Sequence, residues 1–144
     1  MIVLDTNIIS EMMKPPSGRS QAVFNWLAAQ DGADFFVTSF TVAEIAFGLE
    51  LLPEGKRKSE LQKVADEVFD SAFRARVLAF DHAAAKAFAR IAAQRVKAGL
   101  HVPGDDMKIA AIALVRRMSV ATRNVGDFAA SGIDVINPWD YAGS

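Results

Sequence analysis

Ile2-Val3-Leu4-Asp5-Thr6-Asn7 sets three apolar residues directly before an acid, a threonine and an asparagine. The apolar triplet suits a strand buried on both faces, and the three polar residues are all good helix N-caps, so strand gives way to helix at Asp5. The same alternation continues along the chain. After the loop Lys14-Pro15-Pro16-Ser17-Gly18, Val23, Trp26 and Leu27 recur at helical spacing. Phe35-Phe36-Val37 reads as a second strand, and Val42, Ile45, Ala46, Leu49 and Leu52 then trace one helix face, ended by Pro53-Glu54-Gly55. Leu61, Val64, Ala65, Val68, Phe69 and Ala72 predict a further amphipathic helix with a charged opposite face. Residues 77–80 form a third strand, Asp81 caps a helix running to about Ala98, and Gly99 stops it. Pro103-Gly104 opens a helix in which Lys108 is the sole charge between 107 and 115, as expected of an element buried on most sides. Val120-Ala121 is a short fourth strand and residues 133–136 a fifth.

Strands alternating with helices imply βαβ crossovers, hence an α/β fold with a parallel sheet covered on both faces. The 144 residues fit one domain, 1–144, with no repeat, low-complexity tract or linker. Sixteen basic residues against seventeen acidic ones leave a net charge of -1, so no global field draws the chain to nucleic acid and any such contact must be local. Cysteine is absent, which excludes disulfides, thiolate zinc sites and cysteine nucleophiles. Met1-Ile2-Val3-Leu4-Asp5 lacks a basic n-region, and the longest apolar run, 109–115, is too short to span a bilayer, so a cytoplasmic protein with no membrane contact is expected.

In open α/β sheets the site lies beyond the carboxyl ends of the strands. Asp5 ends the first strand, Glu44 sits early in the helix after the second, Asp105 and Asp106 open the apolar helix, and Asp127 follows the fourth strand. Each has a structural reading: Asp5 as an N-cap, Thr41-x-x-Glu44 as a capping box, Asp105 or Asp106 as a cap, Asp127 as a loop acid. Taken together they favour convergence, because acids rarely flank such apolar stretches as Val42-Ala43-Glu44-Ile45-Ala46-Phe47 without a role. Packed carboxylates repel unless a cation compensates them, and Mg²⁺ suits a few carboxylates plus water and phosphate.

Ile2 to Asn7 resembles the opening of PIN-domain nucleases, and Thr38-Ser39-Phe40-Thr41-Val42-Ala43-Glu44 with Gly48 resembles their second acidic segment. Pro103-x-x-Asp106-x-x-Ile109-Ala110-Ala111 resembles the third segment and Thr122-Arg123-Asn124-x-x-Asp127-Phe128 the fourth, with Gly132 through Asn137-Pro138-Trp139 as the close. The ordered set, more than any one motif, marks the chain as similar to VapC- and FitB-like toxins. That resemblance implies a three-layer α/β/α sandwich around a parallel sheet. It implies catalytic, metal-binding acids at Asp5, Glu44, Asp106 and Asp127, with Mg²⁺, or Mn²⁺ in its place, as cofactor. Asp105 is left as an N-cap or accessory ligand. Thr6, Asn7, Thr122 and Asn124 are candidate orienting donors. Arg123, and less directly Arg116, Arg117 and Lys56-Arg57-Lys58, are candidate RNA contacts, the lysine cluster reading better as a solvated helix start.

The implied activity is hydrolysis of RNA phosphodiester bonds by the toxin of a toxin–antitoxin pair, with a small VapB- or FitA-like antitoxin and a second copy of the chain as partners. The alternative is a PIN-scaffold interaction protein without catalysis. A phosphatase or receiver domain fits less well, since Asp5-Thr6-Asn7 lacks an acid two residues on. His82 and His101 have no triad context.

Overall fold

The computed structural model describes residues 1–143. Five short strands, β1 (Ile2–Leu4), β2 (Phe35–Thr38), β3 (Val77–Leu78), β4 (Ser119–Ala121) and β5 (Val135–Ile136), form one sheet in the order β3-β2-β1-β4-β5. Every pairing is parallel: Ile2 stands opposite both Phe35 and Ser119, Thr38 opposite Leu78, and Val120 opposite Val135. Among the described residues the α-helices are α1 (Thr6–Met12), α2 (Gln21–Ala29), α3 (Ser39–Glu50), α4 (Lys56–Asp66), α5 (His82–Lys97), α6 (Gly104–Arg116) and α7 (Val125–Phe128).

Successive strand residues point to opposite faces, and the core divides accordingly. Val3 and Val120 face α5, α6 and α7, packing with Ile91, Met107, Ile109, Ile112 and Phe128. Leu4, Val37 and Ala121 face the other way, toward Ile8, Ile9, Trp26 and Phe73. The result is the expected α/β/α sandwich. In α6, Met107, Ile109, Ala110, Ala111, Ile112 and Ala113 are all buried between sheet and α5, so the helix start that carries Asp105 and Asp106 is anchored by nearly its whole length. Fully burying one Ile or Phe contributes about 1.5–3 kcal/mol, which makes this the best-secured helix of the fold.

Helix ends follow their local chemistry. Asp81 accepts from the Ala84 N–H at 2.9 Å and starts α5 as expected. Gly99, at φ 73°, ends it: its N–H reaches the Val96 carbonyl at 3.0 Å and that of Leu100 reaches Arg95 at 2.8 Å. The same closing pattern ends α6, with Met118 bonded to Ala113 at 2.9 Å, but the left-handed position there, φ 56°, is held by Arg117. Arg117 is exposed, so Arg117→Gly removes backbone strain without losing packing. Stability should rise by roughly 0.5–1 kcal/mol, read as a higher denaturation midpoint.

The structure departs from the sequence expectation at edges and bends. β3 stops at Leu78 instead of residue 80, because Phe80 leaves the sheet to pack edge-on against Phe40 and Phe88, at 5.5 and 6.2 Å between ring centroids. β5 begins at Val135 instead of 133, since only Val135 and Ile136 pair with β4. The amphipathic helix over 61–72 changes to a π-helical turn at Glu67–Ala72, where the Phe73 N–H reaches back to Val68 at 2.9 Å. The wider turn delivers Phe73 to the core, 3% exposed.

Candidate active site

Parallel strands send all their carboxyl ends to one edge. The chain leaves β1 toward β2 on one side and returns to β4 on the other, so the crevice beyond β1 and β4 is the topological switch point. Asp5 and Thr122 stand at those two strand ends. Thr122 Oγ1 donates to Asp5 Oδ2 at 2.7 Å, the Thr6 N–H donates to Asp5 Oδ1 at 2.8 Å, and Asn7 Nδ2 reaches Oδ2 at 3.4 Å. Asp5 therefore caps α1 and also presents a fixed carboxylate at the switch point. Burial pushes its pKa up, the Thr122 and Thr6 bonds offset part of the rise, and the charge of Asp127 adds to it.

Asp5, Glu44 and Asp106 line one open cleft of about 340 Å³, together with Thr6, Asn7, Arg123 and Asn124. Asp127, on α7, is not among the residues that line the cleft, but it is hydrogen-bonded to Asp106 and its charge acts on Asp5. Asp106 is pushed up to about 7, by burial first, then by the charge of Asp5, by a hydrogen bond with Asp127 that favours the protonated form, and by the charges of Asp127 and Glu44. Glu44 is raised by partial burial of its carboxyl, then by Asp5, while the Thr6 hydroxyl pulls it down and Asp105 pushes it up.

Three readings need correction. Thr41-x-x-Glu44 forms no capping box: α3 is capped by Thr38, whose hydroxyl accepts from the Thr41 N–H at 3.4 Å, leaving Glu44 free to face the cleft. The apolar run around Glu44 is only partly buried: Val42 and Ile45 are half-buried, Ile45 packing on the core, whereas Ala43, Ala46 and Phe47, the last 66% exposed, lie on the surface. Asp105 is not an N-cap, because α6 starts after Pro103 with no side-chain cap and Asp105 lies inside the first turn.

The smaller polar residues connect the acids. Thr122 Oγ1 also accepts from Asn7 Nδ2 at 3.3 Å and from the Asn124 N–H at 3.0 Å, and Thr6 Oγ1 lies 3.0 Å from Thr41 Oγ1. The Arg123 N–H donates to Asn7 Oδ1 at 3.3 Å, and its guanidinium lies 5.1 Å from the Trp139 ring centroid. Arg116 and Arg117 lie off the cleft, Arg116 near Asp81 at 4.0 Å. The lysine cluster is indeed an ion-paired helix start, Lys56 with Glu60 and Lys58 with Glu54.

Ser10, Glu11, Lys14 and Trp139 also line the cleft; of these the sequence drew attention only to Trp139, as part of the closing motif and not as a cleft residue. Glu11 is buried, yet bonds from Lys14 Nζ at 2.8 Å and the Ser20 N–H at 3.2 Å outweigh the cost of burial and hold its pKa below the usual range. One signal was available, an acid at i+3 from Ile8 on the apolar face of α1.

Among the described residues, no three acids or histidines stand in a ready-made coordination geometry. What the cleft does provide is hard oxygen donors whose like charges raise one another, the chemistry that a hard divalent cation compensates. The family model described as PIN domain matches residues 2–130. The chain belongs to the PIN domain family. Its PIN domain is similar to the plasmid stability protein StbB of Pseudomonas syringae pv. tomato, 42% identical over 97% of this chain and 99% of that one. It is similar to the VapC ribonuclease Y4jK of Sinorhizobium fredii, 41% identical over 99% and 100%, and to Toxin FitB of Neisseria gonorrhoeae, 36% identical over 96% and 99%. The crystal structure of FitAcB from Neisseria gonorrhoeae superposes on this PIN domain with a TM-score of 0.90 at 36% identity, covering 97% and 99% of the two chains. Among the described residues no helix is long and apolar enough to cross a membrane.

Proposed function

We propose that this PIN-domain chain is a metal-dependent ribonuclease, hydrolysing RNA phosphodiester bonds in the cytoplasm as the toxin of a toxin–antitoxin pair. The observation that carries the reading is the meeting of Asp5, Glu44 and Asp106 on one cleft at the sheet's switch point, with Asp127 hydrogen-bonded to Asp106. Asp5, Asp106, Glu44 and Asp127 would hold Mg²⁺, or Mn²⁺ in its place. When bound, the ion would supply positive charge against the negative charge that develops on the phosphate and would acidify a water. The Thr122 hydroxyl and Asn7 amide orient Asp5, and Arg123 at the mouth meets the incoming backbone. The similarity to a VapC ribonuclease and to Toxin FitB supports the assignment.

A small VapB- or FitA-like antitoxin and a second copy of the chain are the proposed partners. FitAcB, the solved relative, supports the first. Phe47, 66% exposed on the helix that carries Glu44, and Leu51, 69% exposed just past its end, supply apolar surface for either. The assay is cleavage of RNA by the purified chain with Mg²⁺, abolished by chelation and restored by excess metal. Failure to cleave any RNA under these conditions would leave the non-catalytic scaffold as the better reading.

Thr122→Val tests the hydroxyl that steers Asp5. It should lower metal affinity or cleavage about 10- to 100-fold, as loss of a partner to a metal-ligating carboxylate does. Unchanged activity would remove Thr122 from the site.

A further inference from the structure

Among the described residues lining the cleft, Trp139 is the aromatic one. It sits in a single 3-10 turn, Pro138–Asp140, with its N–H held by Asn137 Oδ1 at 3.0 Å, and one side of the residue packs on the core beneath α1 and α2. The guanidinium of Arg123 lies over its ring at 5.1 Å. Arg123 is exposed and, among the described residues, forms no ion pair. Its backbone is fixed by Asn7, whose amide also reaches Asp5 and Thr122. The Arg123–Trp139 pair is thus tied through one residue to the acid at the switch point. Such a pair is a cation and a flat π surface held beside a site for phosphate, which is more than phosphate neutralisation requires.

We propose that Arg123 and Trp139 form a nucleotide subsite in which the base next to the scissile bond stacks on the guanidinium of Arg123, itself backed by the Trp139 ring, while an N–H edge of the guanidinium donates to its phosphate. The proposal rests on the ribonuclease reading. It deepens that reading by giving two residues of the cleft a base contact that does not depend on the base's identity, because stacking uses the face that every base has. A base inside a duplex has both faces covered and does not fit.

The test needs no variant to begin. RNA oligonucleotides that the wild-type protein cleaves are remade with a single abasic position walked across the cleavage site. KM should rise about tenfold at one position beside the cut and little elsewhere. Trp139→Leu should show the same rise on intact RNA and no further rise on the abasic one, while Trp139→Phe, which keeps an aromatic face, should stay close to the wild-type KM. Trp26 is 4% exposed, so fluorescence quenching by a short single-stranded DNA in Ca²⁺ reports on Trp139. Quenching should weaken with the abasic version. Equal cleavage of all abasic RNAs, or additive losses from Trp139→Leu and base removal, overturns the subsite. Should the protein cut no RNA at all, the ribonuclease reading fails, and quenching alone then decides whether a base stacks on the pair.

Discussion

Asp5→Asn and Asp106→Asn should each lower the single-turnover rate of RNA cleavage by at least about 10³-fold while leaving the fold intact. Each removes one negative charge from the cleft and keeps the side chain's shape, so what is lost is the capacity to hold a cation where phosphate charge develops. Such stabilisation is worth several kcal/mol, and about 4 kcal/mol is a thousandfold in rate. Asp5 should be the less forgiving, because its carboxylate is 3% exposed and fixed by three donors, from Thr6, Asn7 and Thr122. Glu44→Gln should cost less, since Glu44 reaches the cleft from an exposed helix face. Activity within tenfold of wild type in either aspartate variant would contradict the assignment of that residue.

The metal-free protein should lose stability as pH rises from about 4 to about 7, and Asp106→Asn should abolish most of that loss. Asp106 is held near 7 in the folded state, against 3.8 for the free side chain. Between those values the folded chain keeps a proton that the unfolded chain has released, so stability falls with rising pH and levels off above 7. Asp5 and Glu44, also raised, act in the same direction, whereas Glu11, lowered, costs stability only on the acid side of the usual glutamate range. About three pKa units correspond to about 4 kcal/mol, but Asp106 is half-exposed and solvent screening reduces this to about 1–2 kcal/mol. Urea titrations in a chelator at pH 4 to 8 measure it. At pH 8, Mg²⁺ should stabilise the wild type and have little effect on Asp106→Asn. Flat stability across this range, or a destabilised Asn variant, would show that the acids do not strain the apo cleft.

The layered fold was legible because its strands and helices carry their own periodicity: Ile2-Val3-Leu4, the face through Val42 and Leu49, and the apolar length of α6 each fit one kind of element. What local pattern could not fix were lengths set by partners. β3 is only as long as its pairing with Val37 and Thr38, and the π turn exists because Phe73 reaches the core that way. Within the cleft, Asp5 and Asp106 stood out as acids beside apolar runs. For Glu44 the ground held only in part: Val42 and Ile45 are half-buried, while Ala43, Ala46 and Phe47 are surface. Glu11 carried only its spacing from Ile8 and Trp139 only its place in the closing motif, because the contacts that bring them to the cleft, Glu11 with Ser20 and Trp139 with Arg123, are made across the fold.

Mn²⁺ soaked into crystals of the protein and located by its anomalous scattering is the most direct test of how these distant acids are used. A peak within coordination distance of Asp5 and Asp106, lost in Asp5→Asn, is the predicted result. A cleft that stays empty at millimolar Mn²⁺, or a peak bound only elsewhere on the surface, would contradict it.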